Sequence, residues 1–180
     1  MEAFSCPGEA VRIDAPRAAS AHTALGDIYD AHAEAVYRLL LALLGSPADA
    51  QDALSEVFLA VARRDLRRIR NLRPYLLASA RHRAISMLRL RRREIPTDPA
   101  DECFFTTSAL NPEQALLAHR IESALRQLPA EQREVIVLKV YEGLTFAEIA
   151  CITRTRPNTV ASRYRYAAEK LRRWLMEESP

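Results

Sequence analysis

A chain of 180 residues with 26 basic and 23 acidic side chains, a formal charge of +3 and only 4 glycines holds one ordinary domain or two small helical ones, each with its own core. Cys6, Cys103 and Cys151 are odd in number, far apart and form no C-x-x-C pair, so neither a disulfide framework nor a zinc site is indicated and plain thiols are expected. No basic start followed by a long apolar run opens the chain, and the longest apolar run, residues 39–44, is too short for a bilayer, so a cytoplasmic protein without membrane insertion is expected.

No stretch alternates apolar and polar residues long enough for a sheet, so the fold class is all-α. Residues 1–24 mix Pro, Gly, Ala and charge without period and are expected to form a flexible tail. From Asp27, the positions Ile28, Ala31, Ala35, Leu39 and Leu43 recur at three- and four-residue steps up to Gly45, predicting a first helix. Ser46, Pro47 and Asp49 supply an N-cap, a first-turn proline and a first-turn carboxylate for a second helix. Its apolar stripe is Ala50, Ala53, Leu54, Val57, Phe58 and Val61, and Asp49, Asp52 and Glu56 share the opposite face.

The positive charge is nearly all arginine, and it is clustered. Asp65 is the only acid in residues 63–93, and Glu169 the only one in residues 154–173. Such blocks suggest a polyanion partner, because the guanidinium fork pairs well with phosphate. Pro74 is expected to open a third helix with Leu77, Ala80, Ala84 and Leu88 inward and His82, Ser86, Arg89 and Arg93 along another side. Residues 95–111 carry acids, Pro96 and Pro99 but no Lys or Arg, and read as a flexible acidic linker. The expected organisation is therefore two small helical domains, 25–94 and 112–177, on either side of it.

Asn111, Pro112 and Gln114 start a fourth helix with Leu117, Ile121, Ala124, Leu125 and Leu128 on one face. Pro129 opens a fifth, with Val135 and Leu138 inward and Gly143 as its stop. Thr145 and Glu148 form a capping box between Leu144 and Ile149, and Pro157 opens a last helix. A short capped helix, a turn and a basic helix make a helix-turn-helix, whose second helix can enter the DNA major groove. Asn158, Thr159, Ser162, Arg163, Arg165 and Tyr166 lie at or near its reading end, while Val160, Ala167 and Leu171 form its packing face. Tyr164 or Tyr166 is expected to be half-buried. Arg154 occupies the usual turn glycine, which requires either a left-handed residue or a remodelled turn; the remodelled turn is the expectation, with Arg154 or Arg156 near phosphate.

These motifs resemble those of bacterial RNA polymerase sigma factors of the sigma-70 family, specifically the extracytoplasmic-function (ECF) group. "GSPADAQDALSEVFLAVARR" (45–64) is similar to the core-binding segment of region 2, and "RPYLLASARHRAISMLRLRRRE" (73–94) to the promoter-melting segment. "LPAEQREVIVLKVYEGLTFAEIA" (128–150) and "NTVASRYRYAAEKLRRWL" (158–175) resemble region 4. The resemblance implies a non-enzymatic specificity subunit without cofactor or metal. Asp49, Asp52, Glu56 and Phe58 would bind the clamp helices of the polymerase beta-prime subunit. Arg73, Tyr75, Arg81, His82, Ser86, Arg89 and Arg92 would take the minus-10 element and the non-template single strand. Arg156, Asn158, Thr159, Ser162, Arg163, Arg165 and Tyr166 would read the double-stranded minus-35 element, with the second domain leaning on the beta flap. An anti-sigma factor is a further implied partner.

The chain departs from the family pattern at several positions. His82 stands for a usual Asn, Ser86 for a frequent Asp, Ser55 for a Gln, Ala62 for a Trp and Ala161 for a Lys of the recognition helix. They leave open a factor that binds polymerase but initiates weakly. A stand-alone helix-turn-helix regulator explains residues 128–175 but not the acidic face of residues 49–56. A nucleic-acid enzyme lacks support in a chain whose four histidines are scattered and which has no Gly-rich phosphate loop.

Overall fold

The computed structural model describes residues 21–64, 69, 71–94 and 111–177. The expected linker, apart from Asn111, and the first twenty residues of the expected tail lie outside the described residues. Every regular element among the described residues is helical: α1 (Ala21–Leu44), α2 (Pro47–Ala62), α3 (Leu72–Glu94), α4 (Pro112–Gln127), α5 (Ala130–Ile136), α6 (Phe146–Thr153) and α7 (Pro157–Glu177). A π-helical turn, Val137–Tyr141, continues α5.

Helix α1 starts at Ala21, inside the expected tail, and stops at Gly45, whose φ of +73° suits a residue without a Cβ. Its predicted stripe is incomplete. Ala31 is exposed and Ala35 only half-buried, whereas Val36 and every residue of 39–44 are buried. A helix end apolar all round needs cover on all sides. Helices α2 and α3 cover part of it, and α5 with its π turn packs on α1 as well.

The start of α2 is as read from the sequence, with Ser46 accepting from Asp49 N–H, Pro47 in the first turn, and the six predicted apolar residues all buried. Each such Leu, Val or Phe side chain contributes about 1.5–3 kcal/mol relative to exposure. Helix α3 starts at Leu72 rather than Pro74. Proline is tolerated there because a first-turn N–H has no partner within the helix.

Asn111 and Gln114 complete a reciprocal capping box on α4. Leu117, expected inward, is 53% exposed beside Leu116 at 63%, and the packed stripe begins at Ile121. Helical spacing alone could not say how far along α4 its cover extends. Cys151 is disulfide-bonded, correcting the expectation of plain thiols; Cys6 and Cys103 lie outside the described residues. Motif spacing registers nearby pairs, whereas a disulfide depends on which Cα atoms the fold brings together.

The expectation of two separate cores also changes. One cluster of buried residues runs from Leu39, Leu54 and Leu77 of the first bundle to Leu138, Ile149 and Val160 of the second. A smaller cluster, Leu125, Leu128, Ile136 and Ala167, belongs to the second bundle alone. The two bundles thus pack face to face, with α1 against α5 and α3 against α6.

Candidate nucleic-acid interface

On α2, Asp52 and Glu56 are exposed and Asp49 is half-buried. Asp49 pairs with Arg91 and Glu56 with Arg83, each at 2.5 Å, so acids of α2 neutralise part of the arginine row on α3. Phe58 sits behind this face at 6% exposure with its ring edge-on to Tyr29, 4.8 Å between centroids. It supports this face from beneath, with its side chain largely shielded from solvent.

The expected melting residues on α3 divide into two groups. His82 and Arg89 are exposed, Ser86 is half-buried with its hydroxyl donating to His82 O, and Arg92 lies in the last turn. Tyr75 packs against the core. Arg81 and Arg73, however, reach into the second bundle. Arg81 Nε donates to Glu134 Oε1 at 2.6 Å, and an Arg73 nitrogen to Glu142 Oε2 at 2.7 Å. They do not lie on an open face with His82 and Arg89, because two carboxylates occupy them.

The second bundle places α7 through four local devices. Thr145 and Glu148 cap α6 reciprocally, and those hydrogen bonds hold the Glu148 carboxyl below the usual carboxylate range. Lys139 Nζ donates to Leu144 O at 3.0 Å, fixing the loop ahead of that cap. Phe146 and Tyr164 then join the two helices at 5.6 Å between ring centroids, while Val160 and Ala167 are fully buried. Tyr164 is thus the half-buried packing tyrosine, and Tyr166 is 51% exposed with the Arg165 guanidinium 5.3 Å from its ring centroid.

Arg154 is left-handed, with φ 53° and ψ 44°, so the turn is not remodelled. Thr155 N–H donates to Ala150 O, and the next helix starts at Pro157. The side chain stands in a conformation that glycine adopts at little cost, and among the described residues it is the only non-glycine with positive φ. Arg154→Gly is therefore expected to stabilise the protein by about 0.5–1 kcal/mol in urea unfolding, less what glycine adds to the entropy of the unfolded chain.

Arg156, Asn158, Thr159, Arg165 and Tyr166 are exposed along the first turns of α7. Ser162 donates to Asn158 O, and Arg163 is ion-paired with Glu131 of α5, so neither points freely outward like its neighbours. Among the described residues no group of three or more His, Cys, Asp or Glu is placed to hold a metal ion.

The residues that sequence reasoning missed lie between the bundles. Glu142 is 4% exposed and receives Arg38 at 2.5 Å as well as Arg73. Burial pushes the Glu134 carboxyl above its ordinary range against the opposing pull of Arg81. Arg133 donates to Ala42 O at 3.0 Å and to Leu128 O at 3.2 Å, serving carbonyls at the ends of α1 and α4. These partners lie 53 to 104 residues apart, apart from the local Arg133–Leu128 bond, and no motif spacing registers such pairs.

A helix-turn-helix with an exposed basic face, carried beside a bundle with an acidic and an arginine-rich helix, defines an all-helical transcription factor. Residues 28–94 match the family description Sigma-70 region 2, and residues 118–171 match Sigma-70, region 4. ECF RNA polymerase sigma factor SigL of Mycobacterium tuberculosis is 34% identical over 167 residues, covering 89% of this chain and 94% of that protein. RNA polymerase sigma factor CarQ of Myxococcus xanthus is 30% identical, covering 87% and 92%. ECF RNA polymerase sigma factor SigE of Mycolicibacterium smegmatis is 32% identical over 165 residues, and the chain spans 60% of its length. The chain belongs to the ECF sigma factors of the sigma-70 family. The fold is similar to that of the sigma factor RpoE from Bartonella quintana, solved with the anti-sigma factor NepR, at a TM-score of 0.70, 22% identity and coverage of 87% and 99%. It is likewise similar to that of CnrH, solved with the cytosolic domain of CnrY, at a TM-score of 0.62, 21% identity and coverage of 89% and 96%.

Proposed function

We propose that this chain binds core RNA polymerase and directs promoter-specific initiation, reading a minus-35 element with α7 and a minus-10 element with α3. The observation that carries the reading is one chain bearing both the exposed Asp52 and Glu56 of α2 and the exposed Arg156, Asn158, Thr159 and Arg165 of α7. A DNA-binding module alone has no use for the first. The acids of α2 would meet basic residues of the polymerase clamp, and complementary charge would set register and speed encounter. The start of α7 would present Asn158 and Thr159 to base edges while Arg156 and Arg165 neutralise phosphates. Arg73, Arg81, Arg89 and Arg92 would hold the phosphates of an opened strand, with His82 and Ser86 beside an unstacked base.

The factor would supply binding energy for strand opening, and polymerase would make the bonds. No catalytic residue or cofactor is assigned to it. An anti-sigma protein is proposed as a second partner, since RpoE and CnrH were each solved with one or with its cytosolic part. A cytoplasmic site of action fits these roles, and none of the helices among the described residues is long and apolar enough to cross a membrane.

The test is transcription of fragmented genomic DNA by core polymerase with and without the full chain, followed by sequencing of the RNA 5′ ends. Discrete starts preceded by a shared pair of elements, present only with the chain, are expected. Polymerase captured without any discrete starts would favour a factor that binds but initiates weakly.

A further inference from the structure

Two acids of the second bundle sit where this reading places DNA phosphate. Glu134 Oε1 takes the Nε of Arg81, and Glu142 holds Arg73 with one oxygen and Arg38 with the other. Both carboxylates are nearly inaccessible, at 2% and 4% exposure, while Arg73 still keeps 42% of its side chain exposed. The π turn at Val137–Tyr141 leads directly into Glu142, and the ring of Tyr141 lies 5.5 Å beneath the Arg38 guanidinium.

We propose that Glu134 and Glu142 act as an internal substitute for DNA phosphate, holding the bundles closed over Arg73 and Arg81 until nucleic acid competes for those arginines. The proposal rests on the reading of Arg73 and Arg81 as contacts to the promoter strand. Its physical basis is the balance at a buried ion pair. Desolvation cancels much of the attraction, so the ion pairs themselves add little net stability to closure, and opening returns both charges to water and leaves neither stranded. A polyanion offers the same arginines a replacement partner, while the apolar packing shared by the two bundles is the contact that opening has to break. Closure would also keep this face from nonspecific nucleic acid.

Small-angle scattering of the full chain without polymerase or DNA, beside anisotropy of a fluorescein-labelled single-stranded oligonucleotide, tests both parts. Glu134→Gln/Glu142→Gln is compared with the charge-matched Asp27→Asn/Asp30→Asn on exposed positions of α1. The expected result is a larger radius of gyration for the first variant only, unchanged helicity, and oligonucleotide affinity about tenfold above the charge-matched control. An unchanged radius of gyration overturns the closure. Expansion with affinity equal to the control overturns the guarding of nucleic acid while leaving the start-site result untouched. Should the double variant lose helicity, Glu134→Gln alone is read by the same two measurements.

Discussion

Asp52→Arg combined with Glu56→Arg is expected to weaken capture of core RNA polymerase on the order of 100-fold, equivalent to about 2.7 kcal/mol. Both carboxylates stand in solvent on one face of α2, so their replacement leaves the buried row from Ala50 to Val61 intact. At an interface, the change converts two attractive contacts into like-charge juxtapositions, which cost more than deletion. Glu56→Arg also sets a cation against Arg83, its present partner at 2.5 Å, but that pair is substantially exposed and contributes little to stability. The measurements are titration of labelled chain with core polymerase and, in parallel, binding of duplex promoter DNA by the chain alone. Loss of the first with retention of the second is the expected pattern. Equal loss of both would place the acids in the fold and not at the polymerase.

Leu138→Ala is expected to destabilise the protein by about 2–5 kcal/mol, the range for emptying a fully buried leucine site. Leu138 is wholly buried, lies in the π turn and belongs to the cluster shared by the two bundles. The cavity would therefore loosen α5, α6 and the packing onto α1 together. For a chain of this size that corresponds to a fall in Tm on the order of 10 °C. Val140→Ala, two residues along the same turn but 58% exposed, is the control and is expected to change stability by less than about 0.5 kcal/mol. Differential scanning calorimetry of both variants checks the contrast.

The parts of the fold that local chemistry specifies were legible in the sequence. Ser46, Asn111 and Thr145 cap the helices they precede, and Gly45 and Gly143 end theirs with positive φ. The six-residue stripe of α2 and the buried Val160 and Ala167 of α7 follow from helical period. What was not legible depends on where the bundles meet. Ala31 and Leu117 fit the period but find no cover, and residues 39–44 are buried on sides the period does not predict. The same holds for the candidate site. Exposed Arg89 and Arg165 lie on the faces assigned to them, whereas Arg81 and Arg73 share those sequence patterns but pair with distant acids. Arg154 obeys the turn geometry and violates only the residue preference, so the sequence marked the position while misjudging its backbone.

The hydrogen bond from Arg133 to Ala42 O has a bearing on how the chain is made. During translation the end of α1 leaves the ribosome well before α5 exists to cover it. At roughly 5–20 residues per second, the leucines of 39–44 wait about 5–20 s for the segment around Leu138. Over that interval the nascent first bundle carries an apolar surface that only its own later sequence can close. A chaperone acting on ribosome-bound chains would find its substrate there.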